Sequence, residues 1–293
     1  MRIPGMRPIV VFLFVAVAVQ SSAGALGNQG EAAIERKTCS ATEGVRIVYS
    51  ASGSGPVALV FIHGGLANRT FWDEELRGFA SRYRVIAPDL PGHGESGSNP
   101  QKWGIPEFGA DVRAVVEAEG IKRAILFGNS LGGPVAIEAA LLLPGKALAV
   151  VGVDTFQRLD YAMPPEQARE RAEAFRRDYA GNMKQMVREL FHPDADPAIV
   201  ADAERRMAGT SPETAYRLFL SLAGYNPAES ARRLQVPLLA INGDLYPTDI
   251  AGNRQIKPDF EVLVMKHMGH YPMLERPGEF NQLVAKLAER FAK

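Results

Sequence analysis

Residues 124–143 read Ala-Ile-Leu-Phe-Gly-Asn-Ser-Leu-Gly-Gly-Pro-Val-Ala-Ile-Glu-Ala-Ala-Leu-Leu-Leu. A short apolar run at 124–127 passes straight into Gly128-Asn129-Ser130-Leu131-Gly132, and a segment of helical character at 131–143 follows. Pro134 falls in the first turn of that helix, where its missing N–H costs nothing. Strand, tight turn and helix in this order are the setting of a nucleophile elbow, in which a serine is held in strained backbone and flanking glycines make room for the turn. The hydroxyl of Ser130 is then exposed at the C-terminal edge of a sheet. The helix N-terminus beside it favours a negatively charged oxygen. The bland alternative is a glycine-rich turn with a passive serine.

A serine hydroxyl is a weak nucleophile until a base takes its proton, so the elbow asks for a histidine. Of the five histidines, His270 is placed best. It lies in Lys266-His267-Met268-Gly269-His270-Tyr271, after the last strand-like run and before the last helix, on the edge where the elbow opens. His267 is expected to be fixed within that loop, His192 to be a surface residue before Pro193, and His93 to belong to a glycine-rich turn. His63 sits in Phe61-Ile62-His63-Gly64-Gly65 and is expected to hold that loop rather than to react. Attack on a carbonyl also needs rigid donors for the oxyanion, and the N–H groups of Gly65 and Leu131 are the candidates.

Outward from the elbow the chain alternates between two periods. Apolar, β-branched runs fall at 45–49, 57–62, 85–87, 124–127, 148–153, 238–241 and 260–265, with helical segments at 71–79, 108–119, 131–143 and 279–292. Nearly continuous apolar runs are what parallel strands buried on both faces require, and the alternation implies an α/β fold with a mostly parallel sheet flanked by helices. The rhythm stops at 156–234, which reads as an inserted helical cap, so that the core comprises 45–155 and 235–293. Within the insert Phe175, Tyr179, Met183, Met186 and Leu190 form one apolar helical stripe, available either for packing against the core or for lining a substrate pocket.

The N-terminus carries a different signal. Arg2 and Arg7 precede an unbroken apolar run at 9–19, and Ala23-Gly24-Ala25 follows, so residues 1–25 are expected to be a signal peptide and the protein to be exported, periplasmic or secreted. The run is far short of the roughly 20 residues of a spanning helix, so no stable membrane insertion is expected after processing. Residues 26–44 read as a lead-in to the fold. With 33 basic and 33 acidic side chains the protein is close to neutral, and no nucleic-acid partner is implied. Its single cysteine, Cys39, allows no internal disulfide.

The series His63-Gly64-Gly65, Asp89-Leu90-Pro91-Gly92-His93-Gly94-Glu95-Ser96, Gly128-Asn129-Ser130-Leu131-Gly132-Gly133 and Gly269-His270 resembles the α/β-hydrolase superfamily in order and spacing. The resemblance covers about residue 45 to the C-terminus. It implies a sheet of about eight strands, a cap between the sixth and seventh, a small-molecule substrate, and neither cofactor nor metal. Serine at the nucleophile position departs from the haloalkane dehalogenase and epoxide hydrolase branches, which use aspartate there. Relatives usually place the triad acid after the seventh strand, three residues past a glycine, but that position here holds Tyr246. A minority place it after the sixth strand, where Asp154 stands; Asp244 and Asp249 are the alternatives, and Asp154 could instead cap the start of the insert. The leading expectation is hydrolysis of a carboxylic ester through an acyl-enzyme on Ser130. Carbon–carbon bond hydrolysis of the meta-cleavage-product type is a rival, and a non-catalytic binding protein on the same fold is a third reading.

Overall fold

The computed structural model describes residues 33–41, 44–99 and 101–293. The expected signal peptide lies outside the described residues. Eight strands form one sheet: β1 (Glu35–Ser40), β2 (Arg46–Ser52), β3 (Ala58–Ile62), β4 (Arg84–Pro88), β5 (Ala124–Asn129), β6 (Ala147–Val153), β7 (Leu238–Asn242) and β8 (Glu261–Val264). Their order is β1-β2-β4-β3-β5-β6-β7-β8. β2 is antiparallel to both β1 and β4, and every other pair is parallel. All residues of β3, β5 and β7 are buried, because helices cover both faces and leave no polar side. Phe61 stacks on Phe127 with centroids 4.9 Å apart and meets Trp72 at 5.1 Å, joining strand to strand and sheet to helix layer.

The helices are α1 (Asp73–Gly78), α2 (Ile105–Ala118) and α3 (Gly132–Leu141), then α4 (Pro165–Arg177), α5 (Tyr179–Leu190), α6 (Pro197–Met207), α7 (Pro212–Ser221) and α8 (Pro227–Arg233) between β6 and β7, and finally α9 (Ile250–Ile256), α10 (Pro272–Glu275) and α11 (Pro277–Phe291). Among the described residues no helix is long and apolar enough to cross a membrane.

Two sequence expectations need correction. The stretch expected to be a lead-in contains β1, an edge strand. Within it only Lys37 and Cys39 are partly covered and the rest is exposed, so no apolar alternation betrays it. The apolar stripe expected as one helix is two. Asp178, at φ −144°, ends α4, and its side chain accepts the Gly181 N–H at 2.9 Å to cap α5.

Strand register explains where function must sit. Gly128 of β5 lies opposite Ile62 of β3 and Gly152 of β6, Val153 opposite Ile241 of β7, and Asn242 opposite Val264 of β8. The chain therefore leaves β3, β5, β6, β7 and β8 along one edge, beneath the helices inserted after β6.

Candidate active site

The turn after β5 is built by close approach. A Cβ on Gly128 would lie 2.0 Å from the Gly132 carbonyl oxygen, and one on Gly132 would lie 2.4 Å from that of Ile62. Only glycine fits either place. Between them Ser130 adopts φ +50°, a left-handed conformation that is costly for a side chain with a Cβ. The strain is over-determined by hydrogen bonds, with the Ser130 N–H donating to Val153 O at 3.1 Å and its carbonyl accepting from Gly133 N at 3.0 Å.

The same edge brings together two of the candidates. Oδ2 of Asp154 lies 2.6 Å from Nδ1 of His270, while its Oδ1 accepts the Gly243 N–H at 3.0 Å. Asp154 is buried and sits at φ +43°, turned sharply off the end of β6. Its backbone N–H donates to Ile241 O, so β7 and Gly243 just beyond it hold Asp154 in place. Asp244 and Asp249 are not brought to His270. Asp244 accepts the Met268 N–H at 3.2 Å and faces Lys266 at 3.8 Å. Asp249 caps α9 through Gly252 N. Tyr246 donates to Glu189 O.

Among the described residues, the backbone N–H groups of Gly65 and Leu131 have no protein acceptor, and both residues border the cavity that Ser130 and His270 share. The glycine loop is fastened by His63, whose Nδ1 lies 2.8 Å from Gly64 O and whose Nε2 accepts the Leu90 N–H at 2.9 Å. Burial holds His63 down to about 4, so the ring is neutral and its tautomer is set by these two bonds. Asp89, in the following turn, is buried and is met by the Arg69 guanidinium and by the N–H groups of Arg69 and Glu95. It braces the loop through these contacts.

Residues that the sequence reading passed over complete the support. Asn129, just before the candidate nucleophile, donates from Nδ2 to Val153 O and to His270 O, each at 2.9 Å, and so ties the elbow to the strand bearing Asp154 and to the histidine loop. Asn242 grips Thr155 through both of its amide atoms, and Asn253 does the same for Phe156 and Leu159. The available signal was an asparagine closing each of two apolar strand runs, a place where a buried polar group must have a structural partner. The His270 N–H donates to Leu190 O at 2.7 Å, which fixes its loop to the end of α5.

The cavity has a volume of about 480 Å³. Its inserted-helix side includes Met163, Met186, Leu190, Leu218 and Phe219, so the C-terminal part of the apolar stripe does line it. Two arginines, Arg158 and Arg171, also line it, and no aspartate or glutamate does.

The profile of the alpha/beta hydrolase family matches residues 59–283. The chain is 29% identical over 244 residues to the dihydrolipoyllysine-residue acetyltransferase component of the acetoin cleaving system of Pseudomonas putida, covering 80% of this chain and 64% of that one. It is 27% identical over 261 residues to the pimeloyl-[acyl-carrier protein] methyl ester esterase of Nitrosospira multiformis, covering 83% and 98%. It is 28% identical over 266 residues to a 2-hydroxy-6-oxononadienedioate/2-hydroxy-6-oxononatrienedioate hydrolase of Burkholderia vietnamiensis, covering 84% and 92%. Among solved structures a thermophilic esterase from Thermogutta terrifontis superposes with a TM-score of 0.79 at 23% identity, over 88% of this chain and 100% of that one, a likeness of fold.

Proposed function

The chain belongs to the alpha/beta hydrolase family, and on that footing we propose that it is a serine ester hydrolase acting through an acyl-enzyme on Ser130, with His270 as general base and Asp154 as the acid that orients it. The observation that carries the reading is the 2.6 Å contact of Asp154 Oδ2 with His270 Nδ1 beside the strained Ser130. Asp154 accepts a hydrogen bond from Nδ1–H, which fixes the tautomer and leaves Nε2 as the basic nitrogen. Nε2 takes the Ser130 proton as Oγ attacks the ester carbonyl. The N–H groups of Gly65 and Leu131 receive the oxyanion. His270 then returns the proton to the departing alkoxide, and the acyl group stays on Oγ. A water that gives its proton to His270 attacks in turn, and His270 passes that proton to Ser130 Oγ as the acyl–oxygen bond breaks and the acid leaves. The methyl ester esterase relative supports an ester as the bond that is cut.

The cavity suits a largely apolar acyl group with a negative or strongly hydrogen-bonding far end. Arg171 has no carboxylate partner among the described residues, and Arg158 pairs only with the exposed Asp160. Carbon–carbon hydrolysis remains the second reading, favoured by the Burkholderia relative. The N-terminal sequence supports action outside the cytoplasm. The test is labelling of Ser130 by a fluorophosphonate, followed by turnover of p-nitrophenyl esters with neutral and carboxylate-ended acyl chains beside a vinylogous diketone. Turnover of the diketone alone would overturn ester hydrolysis.

A further inference from the structure

Away from the cavity, three side chains with metal-binding atoms converge where the inserted helices meet the loop after β8. His192, Asp194 and His267 place one ligand atom each within 4.8 Å of one another. His192 Nδ1 is 3.6 Å from Asp194 Oδ2, and the two imidazoles stand edge to face, with centroids 5.8 Å apart and planes at 87°. Zinc–nitrogen bonds of about 2.1 Å in a tetrahedral shell put neighbouring ligand atoms roughly 3.4 Å apart and the centres of two bound imidazoles roughly 5 Å apart. The site is thus within a small rotamer adjustment of a coordination shell. His267 and Asp194 are exposed and can adjust without meeting packing, whereas His192 is half-buried and its Nδ1 accepts the Asp194 N–H at 3.2 Å.

The backbones that carry these ligands are already locked together. The His192 N–H and the Gly269 N–H both donate to Glu275 Oε2, at 3.3 and 3.2 Å, and the His270 N–H donates to Leu190 O. A Cβ on Gly269 would lie 2.4 Å from His192 N, so the two segments are in close contact. His267 is held at φ +52°, and its carbonyl accepts from Arg276 at 3.2 Å. Two imidazoles and one carboxylate on fixed backbone are a donor set for zinc, copper or nickel and not for calcium or magnesium, which require a shell of oxygens.

We infer that His192, Asp194 and His267 form a divalent transition-metal site of the zinc class, with solvent completing the shell, that clamps the end of α5 to the loop bearing His270. It takes no part in the acyl chemistry and does not depend on the ester reading. Titrating ZnCl2 into the untagged protein by calorimetry should show one equivalent bound with micromolar affinity, and saturating zinc should raise Tm. His267→Gln and His192→Ala should each weaken binding at least tenfold, whereas Ser130→Ala and Cys39→Ser should leave it unchanged. If His267→Gln fails to fold, His192→Ala and Asp194→Asn carry the same comparison. No binding, binding indifferent to the histidine substitutions, or binding lost with Cys39→Ser would each overturn the site.

Discussion

Asp154 and His270 are separated by 116 residues in sequence and by 2.6 Å in space, between Oδ2 and Nδ1. The second oxygen of Asp154 is engaged by Gly243 N–H, so the carboxylate cannot rotate away from the imidazole without giving up a buried hydrogen bond. Asp154→Asn keeps the shape but presents an amide that favours the wrong imidazole tautomer. It should lower kcat by roughly 10³- to 10⁴-fold with the protein still folded. Asp244→Asn should keep near-normal turnover. The reverse pattern would move the acid to the loop after β7.

Ser130→Ala and His270→Ala should each lower kcat by roughly 10⁴-fold or more, and the double variant should be little worse, because nucleophile and base act as one unit. The comparison is made on kcat for a single p-nitrophenyl ester. Losses that multiply would show that the two residues act independently and would sink the assignment.

Gly64 supports the elbow from the loop that follows β3. A Cβ there would lie 2.7 Å from Asn129 Oδ1 and 3.3 Å from Ser130 Cβ. Gly64→Ala must therefore push the Asn129 amide and with it the serine. A displacement on the order of 1 Å can cost about 10²-fold in rate, so kcat should fall by one to two orders of magnitude with unchanged circular dichroism. Unimpaired turnover would mean that the elbow yields elastically.

Glu75 is buried at the start of α1, with neither carboxylate oxygen bonded to another residue, and burial pushes its carboxyl well above the usual carboxylate range. The unfolded chain releases this proton near the ordinary value, whereas the folded chain retains it. The penalty therefore grows as pH rises from about 4.5, at roughly 1.4 kcal/mol per unit, until the folded group ionises. Glu75→Gln removes the ionisation and should raise Tm at pH 8, with the gain shrinking toward pH 4.5. A gain that is the same at both values would show another cause.

The N-terminal expectation is tested on the mature protein. Intact-mass analysis of material recovered outside the cytoplasm should show a chain beginning near Leu26. An intact Met1 there would remove the signal-peptide reading.

Much was legible locally. Gly128-Asn129-Ser130-Leu131-Gly132 announced the elbow, since strand, steric turn and helix N-terminus are adjacent in sequence, and the apolar runs at 57–62, 124–127, 148–153 and 238–241 marked the buried strands, because a parallel strand covered on both faces has no polar alternation. His270 followed from its place after the last strand. β1 was not legible, since an exposed edge strand needs only a neighbour to pair with and no apolar pattern of its own. The break at Asp178 was hidden because capping competes with helix continuation over a single residue.

Sequence order put Asp154 first among Asp154, Asp244 and Asp249, but which of them meets His270 is decided by the tertiary structure. All three satisfy the chain order, and the selection rests on which strand end faces the histidine loop. Register between β6 and β7 sets Val153 beside Ile241, and the turn at φ +43° then aims Asp154 inward, while Asp244 is taken up by the Met268 N–H and Lys266. The same holds for Asn129, whose two acceptors come from β6 and from the far end of the chain. Periodicity reports which face of an element is buried. It carries no information about which distant carbonyl or imidazole that face will meet, and this is fixed only when the sheet closes and each buried polar group finds its partner.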